Sequence, residues 1–164
     1  EFNGGSVEIA GAELSASRSF KIGKDLLLEV SLVHTYTESA FQESFFSQFS
    51  QWGLVRKGDE LPYLPEHRGQ IQFGLVADKW RISASVNSQT EMREEAGIGD
   101  IERGLHADKY TTVDLSGVWM VNENWEAQVS IKNAFDEAEI VSHRPYGARP
   151  NRPRSVLGRI KYTF

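Results

Sequence analysis

Apolar and polar residues alternate with a period of two in seven separate segments of the chain. In the C-terminal segment, every second residue builds an apolar stripe that runs to the last position: Val156, Gly158, Ile160, Tyr162 and Phe164. The residues between them are largely polar or cationic. Because successive side chains of a β-strand point to opposite faces, each segment predicts a strand with one apolar and one hydrophilic face.

The other six segments lie around residues 12–20, 26–37, 70–77, 80–87, 112–119 and 125–132. Strands of this kind are typical of an outer-membrane barrel, in which apolar side chains meet lipid and polar ones line the lumen. A soluble sandwich does not need so many fully polar faces. A soluble calyx needs an apolar interior, whereas the candidate interior here is charged: Glu13, Glu29, Arg81, Glu126, Lys132 and Arg159. We therefore predict an all-β fold, an antiparallel transmembrane β-barrel.

Short and long connections alternate between the seven segments. Residues 21–25, 78–79 and 122–124 read as tight turns, whereas residues 38–67, 91–107 and 136–152 are long. Outer-membrane barrels pair short periplasmic turns with long extracellular loops in the same way. This orientation gathers an aromatic girdle at the short-turn edge, made of Trp80, Trp119, Trp125, Tyr162 and Phe164, and leaves Tyr36 and Tyr110 near the outer edge.

The segment from residue 38 to residue 53 departs from the alternation. Phe41, Phe45, Phe49 and Trp52 recur near helical spacing, and Gly53 follows as a stop signal. The pattern predicts an amphipathic helix in an outer loop. The alternative is a continued strand, because Phe41, Phe45 and Phe49 would also share one strand face.

Composition is compatible with a barrel and excludes several other classes. No apolar run approaches the ~20 residues of a membrane helix, and a mean hydropathy of -0.42 fits alternating strands. The 164 residues include no cysteine, which excludes a disulfide scaffold, and the net charge of -5 argues against a nucleic-acid partner. The chain begins without a signal-like region, so we expect a removed signal or an internal piece. Single-chain bacterial barrels have an even strand count, so further residues are expected to complete this one.

No pattern in the sequence indicates an enzyme, a metal site or a cofactor. The four histidines, His34, His67, His106 and His143, lack metal-binding spacing, and no Gly-x-Ser-x-Gly motif occurs.

Three stretches resemble the C-terminal part of TonB-dependent outer-membrane receptors. The stretch from Val129 to Asp136 resembles the family's penultimate strand with its Asn-Leu-Phe-Asp signature, although Ala134 replaces the Leu. The stretch from Arg144 to Arg154 resembles the last loop, with Asn151 where Gly is usual. Near the start, Gly11-Ala-Glu13 resembles a Gly-x-Glu strand.

The resemblance implies a 22-stranded barrel with a plugged lumen. Residues 1–164 would form its C-terminal part and supply the last seven strands, while the plug and the earlier strands lie elsewhere. The implied function is active uptake of a ferric siderophore or ferric-citrate-like chelate across the outer membrane of a Gram-negative bacterium. Implied partners are TonB through the absent plug, the barrel-assembly machinery through the C-terminal strand, lipid and lipopolysaccharide. The alternative is a passive pore or adhesion barrel without a plug.

Candidate ligand contacts lie in the last two long loops. Guanidinium groups bind planar anions bidentately and so suit carboxylate-rich chelates. The candidates are His143, Arg144, Tyr146, Arg93, Arg103 and His106. We expect Arg149, Arg152 and Arg154 to be structural. The acidic residues of the middle loop predict a solvated segment, made mobile by its glycines: Glu91, Glu94, Glu95, Asp100 and Glu102, with Gly97, Gly99 and Gly104.

Overall fold

The computed structural model describes residues 5–48, 52–101, 104, 106–144 and 146–164. The strands are β1 (Val7–Ile22), β2 (Leu26–Phe41), β3 (Phe45–Phe46), β4 (Leu54–Val55), β5 (His67–Val76), β6 (Trp80–Gln89), β7 (Met92–Arg93), β8 (His106–Ala107), β9 (Tyr110–Met120), β10 (Trp125–Lys132), β11 (Ile140–Ser142), β12 (Arg149–Pro150) and β13 (Ser155–Tyr162). These described residues contain no helix, and therefore none long and apolar enough to cross a membrane.

One antiparallel sheet of seven strands forms the body of the chain, in the order β1-β2-β5-β6-β9-β10-β13. Each of its strands corresponds to one of the seven alternating segments, so the all-β prediction is confirmed. The strands β1 and β2 are longer than predicted, at 16 residues each, and pair over their whole length. The remaining strands form three two-stranded hairpins inside the long loops: β3-β4, β7-β8 and β11-β12.

The register of the sheet places apolar residue against apolar residue on one face. Ile82 pairs with Gly117, which pairs with Val129 on the next strand, and Ala84 and Leu115 begin the adjacent row. This face has no layer packed over it in the described residues, and its large side chains stay exposed. The predicted apolar face is therefore confirmed.

The opposite face carries polar side chains that bond across the strands. Arg81 pairs with Glu29 across the intervening strand β5, where Gly74 leaves room because an added Cβ would lie 3.3 Å from the Glu29 carboxylate. Lys132 donates to Asp114 at 2.8 Å. Two further cross-strand bonds are Ser83 to Ser116 at 2.7 Å and Gln70 to Asn87 at 2.6 Å. The polar face is thus a hydrogen-bonded surface in its own right.

The two ends of the sheet differ. The three short turns and the end of β13 lie at one end, and the three long loops lie at the other, as the alternation predicts. Trp80 pairs with Trp119 at the short-turn end. The Trp125 and Tyr162 rings lie 4.7 Å apart, and Phe164 follows 5.0 Å from Tyr162. All five predicted girdle aromatics are therefore at one edge.

The predicted helix between residues 38 and 53 is wrong for the described residues of that segment. The strand β2 continues to Phe41, and Phe45 then pairs with Val55 in the β3-β4 hairpin. Phe41 is 2% exposed and packs against Phe45 at 5.5 Å and Trp52 at 5.7 Å between ring centroids. Aromatics that meet across a hairpin reproduce the spacing of a helical face, which explains the error. Phe49 lies outside the described residues.

Candidate functional site: the interlocked long loops

The three long loops lie side by side and are bonded to one another. We name them L1 (residues 42–66), L2 (residues 90–109) and L3 (residues 133–154). Arg93 of L2 joins L2 to L1, because its Nε donates to Glu60 at 2.7 Å and its backbone oxygen accepts from Tyr63 at 2.9 Å. The backbone of Glu60 also bridges to Gly97, with an N–H to O distance of 2.7 Å. Arg93 is only 8% exposed.

Gly97 makes space for this contact. A Cβ at this position would lie 3.0 Å from a terminal nitrogen of Arg93. The guanidinium passes this point and donates to the Gly99 carbonyl at 2.8 Å. Gly97 was expected to confer mobility, and the structure instead shows that it allows close packing. Gly99 and Gly104 do take positive φ angles, of 77° and 84°.

Two consecutive carboxylates of L2 contact two consecutive residues of L3. Glu94 accepts the His143 backbone N–H at 2.6 Å, and its other oxygen lies 3.3 Å from His143 Nδ1. Glu95 forms an ion pair with Arg144. Glu94 is 1% exposed, so the prediction of a solvated charged loop is wrong at this residue. A buried carboxylate requires hydrogen-bond donors, and His143 supplies one.

A backbone contact reinforces the junction between L2 and L3. Asp108 donates its N–H to the Ile140 carbonyl at 2.7 Å and accepts the Ile140 N–H on its carboxylate at 2.8 Å. His106 lies across β7-β8 from Arg93 and has Nε2 3.2 Å from the Asp108 carboxylate.

Asn133 closes L3 and was missed as a positioning residue by the sequence analysis. Its side chain donates to the carbonyls of Glu137 and Arg152, both at 2.9 Å, and accepts the Glu137 N–H at 3.0 Å. Its φ is +49°, which Asn tolerates better than most residues. Asp136 accepts the Arg154 N–H at 2.8 Å. The Asn-Ala-Phe-Asp stretch therefore holds the two ends of L3 together, and its position after an alternating strand was the available signal.

The structure brings three of the six candidate ligand residues to the L2–L3 junction: His106, His143 and Arg144. Arg93 lies instead at the contact between L2 and L1. Tyr146 follows in L3 with 96% of its surface exposed. Arg103 lies outside the described residues. Within the described ranges, no group of three or more His, Asp or Glu side chains is arranged to hold a metal ion.

A cleft between L1 and L2 is one of the concave features of this end. Its volume is about 610 Å³, and its lining is mainly acidic, with the carboxylates of Glu60, Glu66, Glu91 and Asp100. Two cations, Arg93 and Lys109, also line it, but Arg93 is bonded to Glu60. The charge of this cleft is unfavourable for an anion.

A two-faced antiparallel sheet with short turns at one end and long loops at the other defines a β-barrel wall. A family model described as "TonB dependent receptor-like, beta-barrel" matches residues 2–134. The chain belongs to this family. No curated protein gives a significant sequence match.

Solved structures of three receptors share the fold at low sequence identity. The siderophore receptor PiuA from Acinetobacter baumannii has a TM-score of 0.68 and 17% identity, over 95% of this chain and 22% of PiuA. The closed form of the ferric-catecholate import receptor Fiu from E. coli K12 gives 0.56 and 17%, over 95% and 28%. The ferric yersiniabactin uptake receptor FyuA from Yersinia pestis gives 0.51 and 16%, over 93% and 29%. The chain thus spans less than a third of the length of these receptors.

Proposed function

We propose that this chain is part of the wall and outer rim of a TonB-dependent outer-membrane receptor that imports a ferric chelate. The observation that carries the proposal is the register of the sheet, which separates an exposed apolar face from a hydrogen-bonded polar face across all seven strands. Such a sheet suits lipid on one side and a hydrophilic lumen on the other. Family membership and the three receptor structures support the same assignment.

The proposed ligand is an anionic chelate that exposes carboxylate or similar planar groups. Arg144 is the ligand-binding residue, and Glu95 occupies its guanidinium when no ligand is bound. A carboxylate of the chelate replaces the carboxylate of Glu95 without changing the type of bond. His143 and the exposed Tyr146 flank this position along L3. Arg93 is a positioning residue, because its guanidinium is buried against L1.

The remaining roles follow from this placement. TonB acts through a plug supplied by other residues of the receptor, and the barrel-assembly machinery takes up the terminal strand β13. Trp80, Trp119, Trp125, Tyr162 and Phe164 lie at the periplasmic membrane interface, where amphipathic rings are favoured. Lipid and lipopolysaccharide surround the apolar face. The protein transports its ligand without chemical conversion.

Uptake of radioactive iron by cells that carry the full-length receptor tests the assignment. Ferric citrate and a ferric catecholate serve as probes, and we expect at least one to be imported only when TonB is present. Replacing Arg144→Gln should weaken binding of the imported chelate about tenfold or more, the effect of losing a hydrogen bond to a charged group. The matched control is Arg149→Gln, because Arg149 is an exposed arginine of the same loop.

A passive pore is the competing function, and conductance separates the two. The intact receptor in a planar bilayer should be nearly closed, since a plugged barrel passes few ions. Open-channel conductance together with uptake that does not depend on TonB would refute the receptor and favour the pore.

A further inference from the structure

Arg18 interrupts the apolar face of the sheet. It lies in β1 between Ala16 and Phe20, and its register partner Val30 belongs to the apolar face of β2. A cation among lipid-facing side chains destabilises a barrel by about 2–4 kcal/mol at the midplane and less near an interface. The strand pairing and the apolar face of the sheet do not by themselves explain an arginine at this position.

The side chain of Arg18 extends toward the short-turn end of the sheet. Its guanidinium carbon lies 5.2 Å from the ring centroid of Phe20, which is two residues nearer that end. Arg18 is exposed, and it forms no ion pair with the described residues. An arginine that lies along an apolar surface and carries its charge toward the interface is snorkelling.

The depth of Arg18 fits a headgroup contact. It precedes the end of β1 at Ile22 by four residues. At about 3.3 Å per residue and a tilt of about 45°, its Cα lies about 9 Å above the short-turn end. The guanidinium, displaced toward Phe20, lies closer still to the membrane surface on that side.

The adjacent turn is the basic one of the three short turns. Lys21 and Lys24 follow Arg18, and Asp25 is the one carboxylate in residues 18–25. The turn at residues 78–79 pairs one aspartate with one lysine, and the turn at residues 122–124 carries one glutamate. The chain as a whole has a net charge of -5. Arg18 and Lys24 therefore flank the exposed apolar side chains of Phe20 and Ile22, whereas Lys21 lies at an odd position of β1, on the polar face.

We propose that Arg18 and Lys24 form a binding site for the phosphate of an anionic phospholipid in the periplasmic leaflet. The guanidinium of Arg18 binds the phosphate oxygens bidentately, Lys24 in the turn adds charge, and the acyl chains lie along Phe20 and Val30. This inference rests on the proposed function, because it requires the sheet to span the outer membrane. The short-turn location selects a phospholipid over lipopolysaccharide, which is on the side of the long loops.

Native mass spectrometry of the full-length receptor, purified in a non-ionic detergent, tests this site. The probes are phosphatidylglycerol and phosphatidylcholine of equal chain length, titrated separately. We expect phosphatidylglycerol to be retained preferentially, and Arg18→Gln to lower its occupancy about tenfold. The control Lys79→Gln, in the next short turn, should leave the occupancy unchanged.

Two results would overturn the lipid site. One is equal retention of phosphatidylglycerol by the receptor and by Arg18→Gln. The other is an equal loss of thermal stability from Arg18→Gln with and without lipid, which would assign Arg18 to a carboxylate of a neighbouring strand. Iron uptake by Arg18→Gln should match that of the unmodified receptor, because Arg18 is remote from the rim. A failure of the lipid site therefore leaves the transport assignment intact, and a failure of transport is seen separately.

Discussion

The sheet and the rim of long loops are built from the same chain by different rules. In the sheet, backbone bonds between long strands fix the register, and each side chain follows from its position along the strand. In the rim, the strands of the hairpins are only two or three residues long. Side chains such as Arg93, Glu94 and Asn133 supply the contacts that hold the loops together. The sheet therefore tolerates change wherever face and size are kept, whereas the rim depends on a few individual residues.

The largest effect is expected from placing a charge on the apolar face of the sheet. We expect Val129→Arg to destabilise the assembled barrel by about 2–4 kcal/mol, because the guanidinium is moved into lipid. The neighbouring Ser130→Arg, on the polar face, is the matched control and should assemble normally. Heat-modifiability of the full-length receptor on gels measures both. Equal damage from the two variants would show that the faces are wrongly assigned.

A smaller effect is expected where two strands approach each other closely. A Cβ at Gly11 would overlap the Tyr36 carbonyl oxygen on β2, whereas a Cβ at Gly158 meets no heavy atom within 4 Å. We expect Gly11→Ala to lower the free energy of unfolding by about 1–3 kcal/mol through overpacking. Gly158→Ala should leave it nearly unchanged. Urea unfolding of the receptor in detergent compares the two variants. An unchanged free energy of unfolding for Gly11→Ala would contradict the close approach of Gly11 to the Tyr36 carbonyl oxygen.

In the rim, Asn133→Gly separates hydrogen bonding from backbone conformation. Glycine accepts the positive φ of this position but removes the three side-chain bonds that hold L3 closed. We expect a loss of about 1–2 kcal/mol, confined to L3, because the freed backbone groups are partly rehydrated. Limited proteolysis should then cut L3 faster while the sheet stays resistant. Unchanged cleavage would mean that Asn133 serves only its backbone conformation.

The smallest effect on stability is expected from Glu95→Gln. Its ion pair with Arg144 is partly exposed, and such pairs contribute about 0–1 kcal/mol. Binding of the imported anionic chelate should nevertheless strengthen, because the carboxylate of Glu95 no longer competes with the chelate for Arg144. A titration of the full-length receptor with the chelate measures this, with Glu91→Gln as the control. Weaker binding by Glu95→Gln would assign Glu95 to ligand contact.

The sequence predicted the sheet well because strand alternation is local information. The residue type alone, apolar for Ile82 and polar for Ser83, indicates the face of the sheet on which each side chain lies. The short turns mark where the strands end. The lengths of β1 and β2 were underpredicted because their outer ends leave the apolar pattern, as at Glu38. Pairing of backbone groups continues there without an apolar face to signal it.

The rim could not be predicted in the same way because its contacts join residues far apart in sequence. Nothing about Glu94 distinguishes it from Glu91 or Glu95 until His143 lies beside it. The spacing of Phe41, Phe45 and Trp52 fits a helix as well as a hairpin, and packing between them decides in favour of the hairpin. The basic residues of L3 were recognisable by type, but not their acidic partners.

Arg93 and Glu94 are consecutive residues of L2 that contact different loops. Arg93 forms an ion pair with Glu60 of L1, and Glu94 contacts His143 of L3. We therefore expect a displacement of His143 to affect Glu60, because one peptide bond separates the two residues that hold them. L1, L2 and L3 are therefore linked to one another and do not form three independent loops. We expect a ligand that displaces one of these loops to shift the other two as well.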